Sequence, residues 1–522
     1  CFSLVALEDA DSRQSCHNPL HEVTEEFLLL LKYAVPIIGT HLLENTLMLV
    51  SIVSVGHLGT NELAAASMAN ITLNCSSLSV IVGFASALDG LCSQSYTSGG
   101  LEASTLSALR TAIILGGLMI PQGLLLWNIH PVLIFLRVDP TLADMAACSL
   151  RMLLWSLPGY ATFEISRRWL QAQAIIYPPT CILLLVSPLN AILSYLFIWG
   201  PESLQLGFIG APVATVISFN LMGLSCLSIW SRNHLNSFLY CARVAGQQGW
   251  PGCDRRALRD LGPNFCLGLS GFTTLASEWW FWEFIGIASS RLGPTALAAQ
   301  SVIVMYQFSG GASLAVAGRY GNLIGGGCTR RAGYASYAAL GTGFLFGTLT
   351  MLAMVVFRRT LAGLFSSQEE VVALVAKVVK PHMPRAFCHP ISNLSSLLPT
   401  VAFIQIPDSL GSTLAGVIRG AGKPKVGALI NSIGYYVVGL PVGIFLTFSQ
   451  LQLGIRGLWL GMLMAVTWTA IASSYYVFTK IIPFTTNQLP ERQGLIIQNS
   501  GLGKASQGPF EDLGDYGTIN TW

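Results

Sequence analysis

Apolar runs alternate with short polar breaks along most of the chain. They fall near residues 27–55, 62–92, 104–128, 146–166, 180–199, 207–230, 264–290, 297–317, 334–357, 397–418, 426–448 and 453–479. A helix of about 20 apolar residues crosses the hydrocarbon core of a bilayer. The pattern therefore predicts an all-α integral membrane protein with twelve transmembrane helices. One break is long, Ser231 to Pro263, and it divides the spans six and six. The expected organisation is a polar N-terminal segment (1–26), a first lobe (27–230), a cytoplasmic connector (231–263), a second lobe (264–479) and a polar, disordered tail (480–522). The first twenty residues lack the apolar core of a signal peptide, and residue 1 is Cys, as at the start of a fragment.

The halves repeat. Leu58 to Ser67 resembles Leu292 to Ser301, an offset of 234, and Tyr96 to Gly99 resembles Ile324 to Gly327, an offset of 228. Pro178 answers Pro424 (246), and Leu206-Gly207 answers Leu453-Gly454 (247). Six helices is an even number, so both halves enter the membrane the same way round. They would be parallel repeats with a site at their interface. The offset falls by 234 − 228 = 6 residues within the eighth helix and rises by 246 − 228 = 18 before Pro424. The rise coincides with 380–396, which holds Pro381, Pro384 and Pro390 and interrupts a tenth helix running from Val371 into Val401. Prolines this close together stop a helix. The segment reads as an insertion, either a gene-model error such as a retained intron or a true extra loop.

Composition agrees with a membrane protein: 52% of residues are hydrophobic and 10% charged, against about 25% charged in soluble domains. A net charge of +3, with no basic stretch interleaved with aromatics, argues against nucleic acid. The twelve cysteines are scattered without a CxxC pair, which suggests neither a disulfide framework nor a zinc site. No cofactor or metal is expected. Arg167, Arg168, Arg232, Arg243, Arg255, Arg256, Arg259, Arg319, Arg330, Arg331, Arg419, Lys423 and Lys425 crowd the loops after even-numbered helices, against mainly Arg137, Arg291, Arg358, Arg359 and Arg456 in the opposite loops. That bias predicts both termini in the cytoplasm.

Chemistry concentrates in Ser277-Glu278-Trp279-Trp280-Phe281-Trp282-Glu283, inside the seventh apolar span. Acids at membrane depth are costly, and they usually face a bundle interior or a wet cavity where they handle an ion or substrate. Trp282 follows Glu278 by four residues and Glu283 follows Trp279 by four, so each acid shares a helical face with an indole. A carboxylate beside indole faces suits a cation with apolar bulk. Trp279, Phe281 and Trp282 are the candidate aromatic contacts; the competing reading is an interfacial belt that only anchors the helix. Glu44 and Asn45, in the first span, are either an N-lobe proton or ion site or a polar pair bonded between helices. Asp89 reads as structural, and Glu164, Arg167 and Arg168 as inner-face anchors. Gly420-Ala421-Gly422-Lys423 lacks the spacing of a phosphate loop, so no ATP-driven pump follows. No Ser-His-Asp arrangement stands out, so an enzyme is not expected.

A series of motifs runs along the chain: Val55 to Gly59 with Glu62-Leu63, Ser86 to Tyr96, Glu278-Trp279-Trp280 with Glu283, and Ala299-Gln300-Ser301. It continues through Gly321 to Gly325, Val417 to Gly420, and Lys425 to Ala428 leading to Asn431 to Pro441. In these motifs the chain resembles the multidrug and toxic compound extrusion (MATE) family, with a eukaryotic, fungal-like flavour. The resemblance implies two six-helix lobes around a V-shaped cavity. It also implies antiport of organic cations or other xenobiotics against protons, with sodium as coupling ion in some relatives. The family's C-lobe acids match Glu278, Glu283 and, on the tenth helix, Asp408. The eighth helix departs from the family: it is about six residues short after Gln300, and Gln307 stands near the place of a further acid. The expected mechanism is exchange at shared carboxylates: Glu278, Glu283 and Asp408 bind either a proton or the drug. A carboxyl group in a low-dielectric cavity loads and releases protons near neutral pH. The expected partners are small organic cations and the lipid bilayer, and the expected state is a monomer in the plasma or vacuolar membrane. The alternatives are a lipid-linked oligosaccharide flippase of a related two-lobed fold, or a non-transporting or defective product.

Overall fold

The computed structural model describes residues 19–56, 58–135, 138–230, 255–292, 310–365, 400–449 and 453–483. Within them the chain is helical, and no strand occurs among the described residues. A bilayer offers backbone amides no water, so each span must satisfy its own hydrogen bonds as a helix. Each of the twelve apolar runs is predominantly helical where it is described, broken only by single turn residues and at run ends.

Helix α1 is Pro19–Gly56. The second run is α2 (Thr60–Leu73), a π turn (Asn74–Leu78), α3 (Ser79–Ser86) and the first part of α4 (Leu88–Trp127). Gly100 breaks α4 with a φ of 75°, which glycine adopts without strain, and so divides the second span from the third. After the short α5 (Ile129–Phe135), the fourth run is α6 (Pro140–Leu153), a 3₁₀ turn and α7 (Leu157–Ala172). Helices α8 (Tyr177–Trp199) and α9 (Gly210–Trp230) complete the first half. The second half holds α10 (Leu261–Ser290), α11 (Gly310–Gly325), α12 (Thr329–Phe365), α13 (Thr400–Gly420), α14 (Pro424–Ser432), a π turn (Ile433–Gly439), α15 (Leu440–Phe448) and α16 (Ile455–Tyr476).

Two boundaries differ from expectation. Residues 19–26 of the expected polar segment are helical, because Glu26 is fully buried and held by two arginines from the other half. The fourth helix runs to Ala172 rather than 166, because Arg167 and Arg168 turn inward and find carboxylates. The expected insertion (380–396), the start of the eighth helix with Gln307, most of the connector and most of the tail lie outside the described residues.

Among the described residues the halves meet along three main seams. α10 packs on α3 so closely that a Cβ on Gly83 would stand 2.4 Å from the Phe272 backbone, and one on Gly271 2.4 Å from the Gly83 carbonyl. α1 packs against α11 and α12. The start of α4 packs against α11 and the end of α13, where a Cβ on Gly90 would meet the Arg419 carbonyl at 2.3 Å.

Candidate functional site

Glu278 lies just past the midpoint of α10 and is half-buried. It stands within electrostatic reach of Asp408 on α13, which is 8% exposed, and of Arg419 near the end of the same helix. Tyr435, in the π turn between α14 and α15, lies within reach of both carboxylates and packs its ring 5.1 Å from that of Phe281. A π turn carries an extra residue, and such turns recur at functional sites. Three elements thus converge on one pair of acids.

Glu283 does not join them. Five residues at ~100° each leave the two side chains about 140° apart around the helix. Glu283 instead lies within reach of Cys75, in the π turn of the first half. The expected set of three acids is therefore a pair, Glu278 with Asp408, plus an outlier beside the seam. The aromatic residues also divide. Trp279 is half-buried against the core of the first half. Trp282 sits 5.6 Å from the ring of Trp459. Trp280 is partly exposed and donates its indole N–H to the Cys75 carbonyl at 3.2 Å. Phe281 is 1% exposed in the second-half core, so it acts as the packing support of Tyr435 rather than as a wall open to ligand.

Glu44 and Asn45 point apart. Asn45 is exposed, while Glu44 accepts hydrogen bonds from Tyr160 Oη (2.7 Å) and Arg167 Nη1 (3.1 Å), with His41 Nδ1 at 3.6 Å. Glu44 is thus a partner in an interhelical network, and the two-residue polar site does not form. The network extends further. Arg167 also bonds Glu164, Arg168 bridges Glu164 and Asp89, and Asp89 Oδ2 lies 3.3 Å from Arg419 Nε. Arg419 Nη2 donates to Ser313 Oγ at 2.8 Å. Three acids (Glu44, Glu164, Asp89) balance three arginines (167, 168, 419), which is how charges survive away from water. Arg419 and Tyr435 were visible in the sequence as motif residues, but nothing there assigned them a place at the site.

A small, half-open pocket lies within the first half, with Ser51, Asn70, Ser149 and Thr215 in its lining. Neither Glu44 nor Asn45 lines it.

The MatE family model matches residues 36–196 and 272–396. An uncharacterized transporter of Schizosaccharomyces pombe is 36% identical over 470 residues, 87% of this chain and 81% of the relative. The Multidrug and toxin extrusion protein 1 of Homo sapiens is 30% identical, over 86% of this chain and 74% of its own length. The crystal structure of the eukaryotic MATE transporter AtDTX14 superposes with a TM-score of 0.77 at 24% identity, covering 90% of this chain and 99% of that one. The fold is therefore the MATE fold, and the matched segments include α10 with its acids. The chain belongs to the MATE family of multi-pass membrane transporters, which are not enzymes.

Proposed function

We propose that the chain exports organic cations by proton-coupled antiport, with Glu278 and Asp408 as the shared seat of proton and substrate. The observation that carries this reading is the approach of two carboxylates from different helices inside the bundle. Like charges at low dielectric need positive charge between them. A proton supplies it in one state and a cationic substrate in the other, and competition for the seat links the two fluxes. Tyr435 contributes a hydroxyl facing the acids, and Trp279 and Trp282 flank them along α10. Glu283 serves as a third acid, separate from the pair, on the substrate's path beside Cys75. The names of relatives such as the human Multidrug and toxin extrusion protein 1 support export of drugs and toxins, and the acid pair favours cations among them. An anionic, lipid-linked oligosaccharide would be repelled by the same pair, which disfavours a flippase.

Proteoliposomes with an imposed pH gradient test the reading. They should move a fluorescent organic cation, and Glu278→Gln should reduce that flux to background while the protein still inserts. Full flux in the Gln variant would remove Glu278 from the mechanism. A flux that follows a sodium gradient and ignores the pH gradient would replace the coupling ion.

A further inference from the structure

The charge chain that begins at Glu44 crosses from one half to the other at a single described ion pair, Asp89 with Arg419. Its two members are unequally placed. Asp89 has a second arginine, Arg168, within its own half. Arg419 has a second acid, Glu278, within electrostatic reach in its own half. If the halves part at this seam, neither charge is orphaned: Asp89 keeps Arg168, and Arg419 can turn to Glu278. The first half shows the completed form of such a contact. Glu44 stands one repeat offset before Glu278 (278 − 44 = 234) and is held at 3.1 Å by Arg167, from the fourth helix of its own half. Arg419 lies on the corresponding helix of the second half, the tenth.

We propose that Arg419 is a positioning residue of the transport cycle, held by Asp89 when the seam is closed and passing to the Glu278 carboxylate when the seam opens. This rests on the carboxylate-pair reading above. A proton or cation on the pair removes the pull on Arg419 and leaves it with Asp89. An empty, ionised pair draws it away and opens the seam. Substrate occupancy is thereby tied to closure through one side chain. The surrounding contacts suit a two-position arginine: Ser313 Oγ is a neutral partner, and Gln94 Nε2 donates to the Gly420 carbonyl at 2.6 Å without using the guanidinium.

Ser93 reports on the seam. It is 1% exposed, and its Cβ lies 2.7 Å from where a Cβ on Gly321 would be. In a Ser93→Cys chain, reaction with a membrane-impermeant maleimide, read at that peptide by mass spectrometry, measures opening. Arg419→Gln should raise the labelling rate at least about fivefold, the scale of a lost cross-interface charge pair. Arg419→Lys should restore part of the closure. Glu278→Gln removes the competing acid, so it should slow labelling when Arg419 is present and leave it unchanged in the Arg419→Gln chain. Arg419→Gln leaves Asp89 its Arg168 partner, so the fold is retained. Labelling in Arg419→Gln at the parent rate, or an equal Glu278→Gln effect in both backgrounds, overturns the proposal. Equilibrium binding of a fluorescent organic cation to the detergent-solubilised Ser93→Cys protein separates the two readings. If the cation fails to bind while labelling follows the stated pattern, the substrate assignment fails and the positioning role of Arg419 stands.

Discussion

At the scale of single residues, the same chemistry has opposite fates in the two halves. Glu44 and Glu278 are acids at membrane depth one repeat apart, yet Glu44 is capped by Tyr160 and Arg167, while Glu278 faces another acid. A capped acid has no capacity left for cargo, and the cap is costly to break. Glu164 is fully buried and serves both Arg167 and Arg168. Glu164→Gln should therefore cost about 3–5 kcal/mol by leaving buried guanidinium groups short of charge. Thermal unfolding in detergent should show the loss as a lowered midpoint. Tyr435→Phe has a different expected signature. The ring contact with Phe281 survives, so the unfolding midpoint should hardly move, while loss of the hydroxyl beside the acids should weaken cation binding several-fold. Equilibrium binding checks it, and an unchanged affinity would place Tyr435 in the core alone.

At the scale of elements, the spans were legible because a helix is what an apolar run becomes in lipid. The pairing of spans was not legible. The acids on α10 announced themselves by their charge in an apolar stretch, and Asp408 through its place in the family motif. The divergence of Glu283 from Glu278 follows from helical geometry and five residues of spacing, and could have been read from the sequence. The capping of Glu44 could not, because Arg167 lies 123 residues away in the chain and meets it only after packing. The glycines of the α3–α10 seam are likewise silent in sequence and decisive in space. Gly271 lies seven residues, two turns, before Glu278, on the same face of α10. Gly271→Val would drive a side chain into the Gly83 carbonyl and displace the helix that carries the acid. Both stability and cation flux should fall. Gly286, on the same helix, has open space where a Cβ would go. Gly286→Ala should leave flux intact and stabilise by up to about 1 kcal/mol, since alanine loses less backbone freedom in a helix. Parallel measurements of flux and unfolding midpoint on the two variants separate the seam from generic helix propensity.

At the scale of the whole molecule, the halves are joined at one end by charge as well as by packing. This end gathers the start of α1, the start of α4, the ends of α11 and α13, and the start of α12. Besides Asp89 with Arg419, Glu26 on α1 accepts from Arg319 Nε at 2.9 Å and Nη2 at 2.7 Å, and from Arg331 Nε at 2.6 Å. Alternating access requires such an end to open, and ionic contacts suit that requirement. Once water enters, their charges are solvated and the cost of separation falls, whereas an interlocked apolar seam would lose its burial in full. The two contacts differ in kind. Asp89 retains an arginine when the halves part, but Glu26 has both its strong partners across the seam. Glu26 should therefore favour the closed form without regard to what occupies the acids. Glu26→Gln should raise hydrogen–deuterium exchange in residues 19–30 and 319–335, which flank the lost contact. Exchange in 157–170, where Glu164 bonds only first-half arginines and Glu26 makes no contact, should stay at the parent level. A uniform rise across all three segments would mean general destabilisation and would count against a specific role for Glu26 in closing this end.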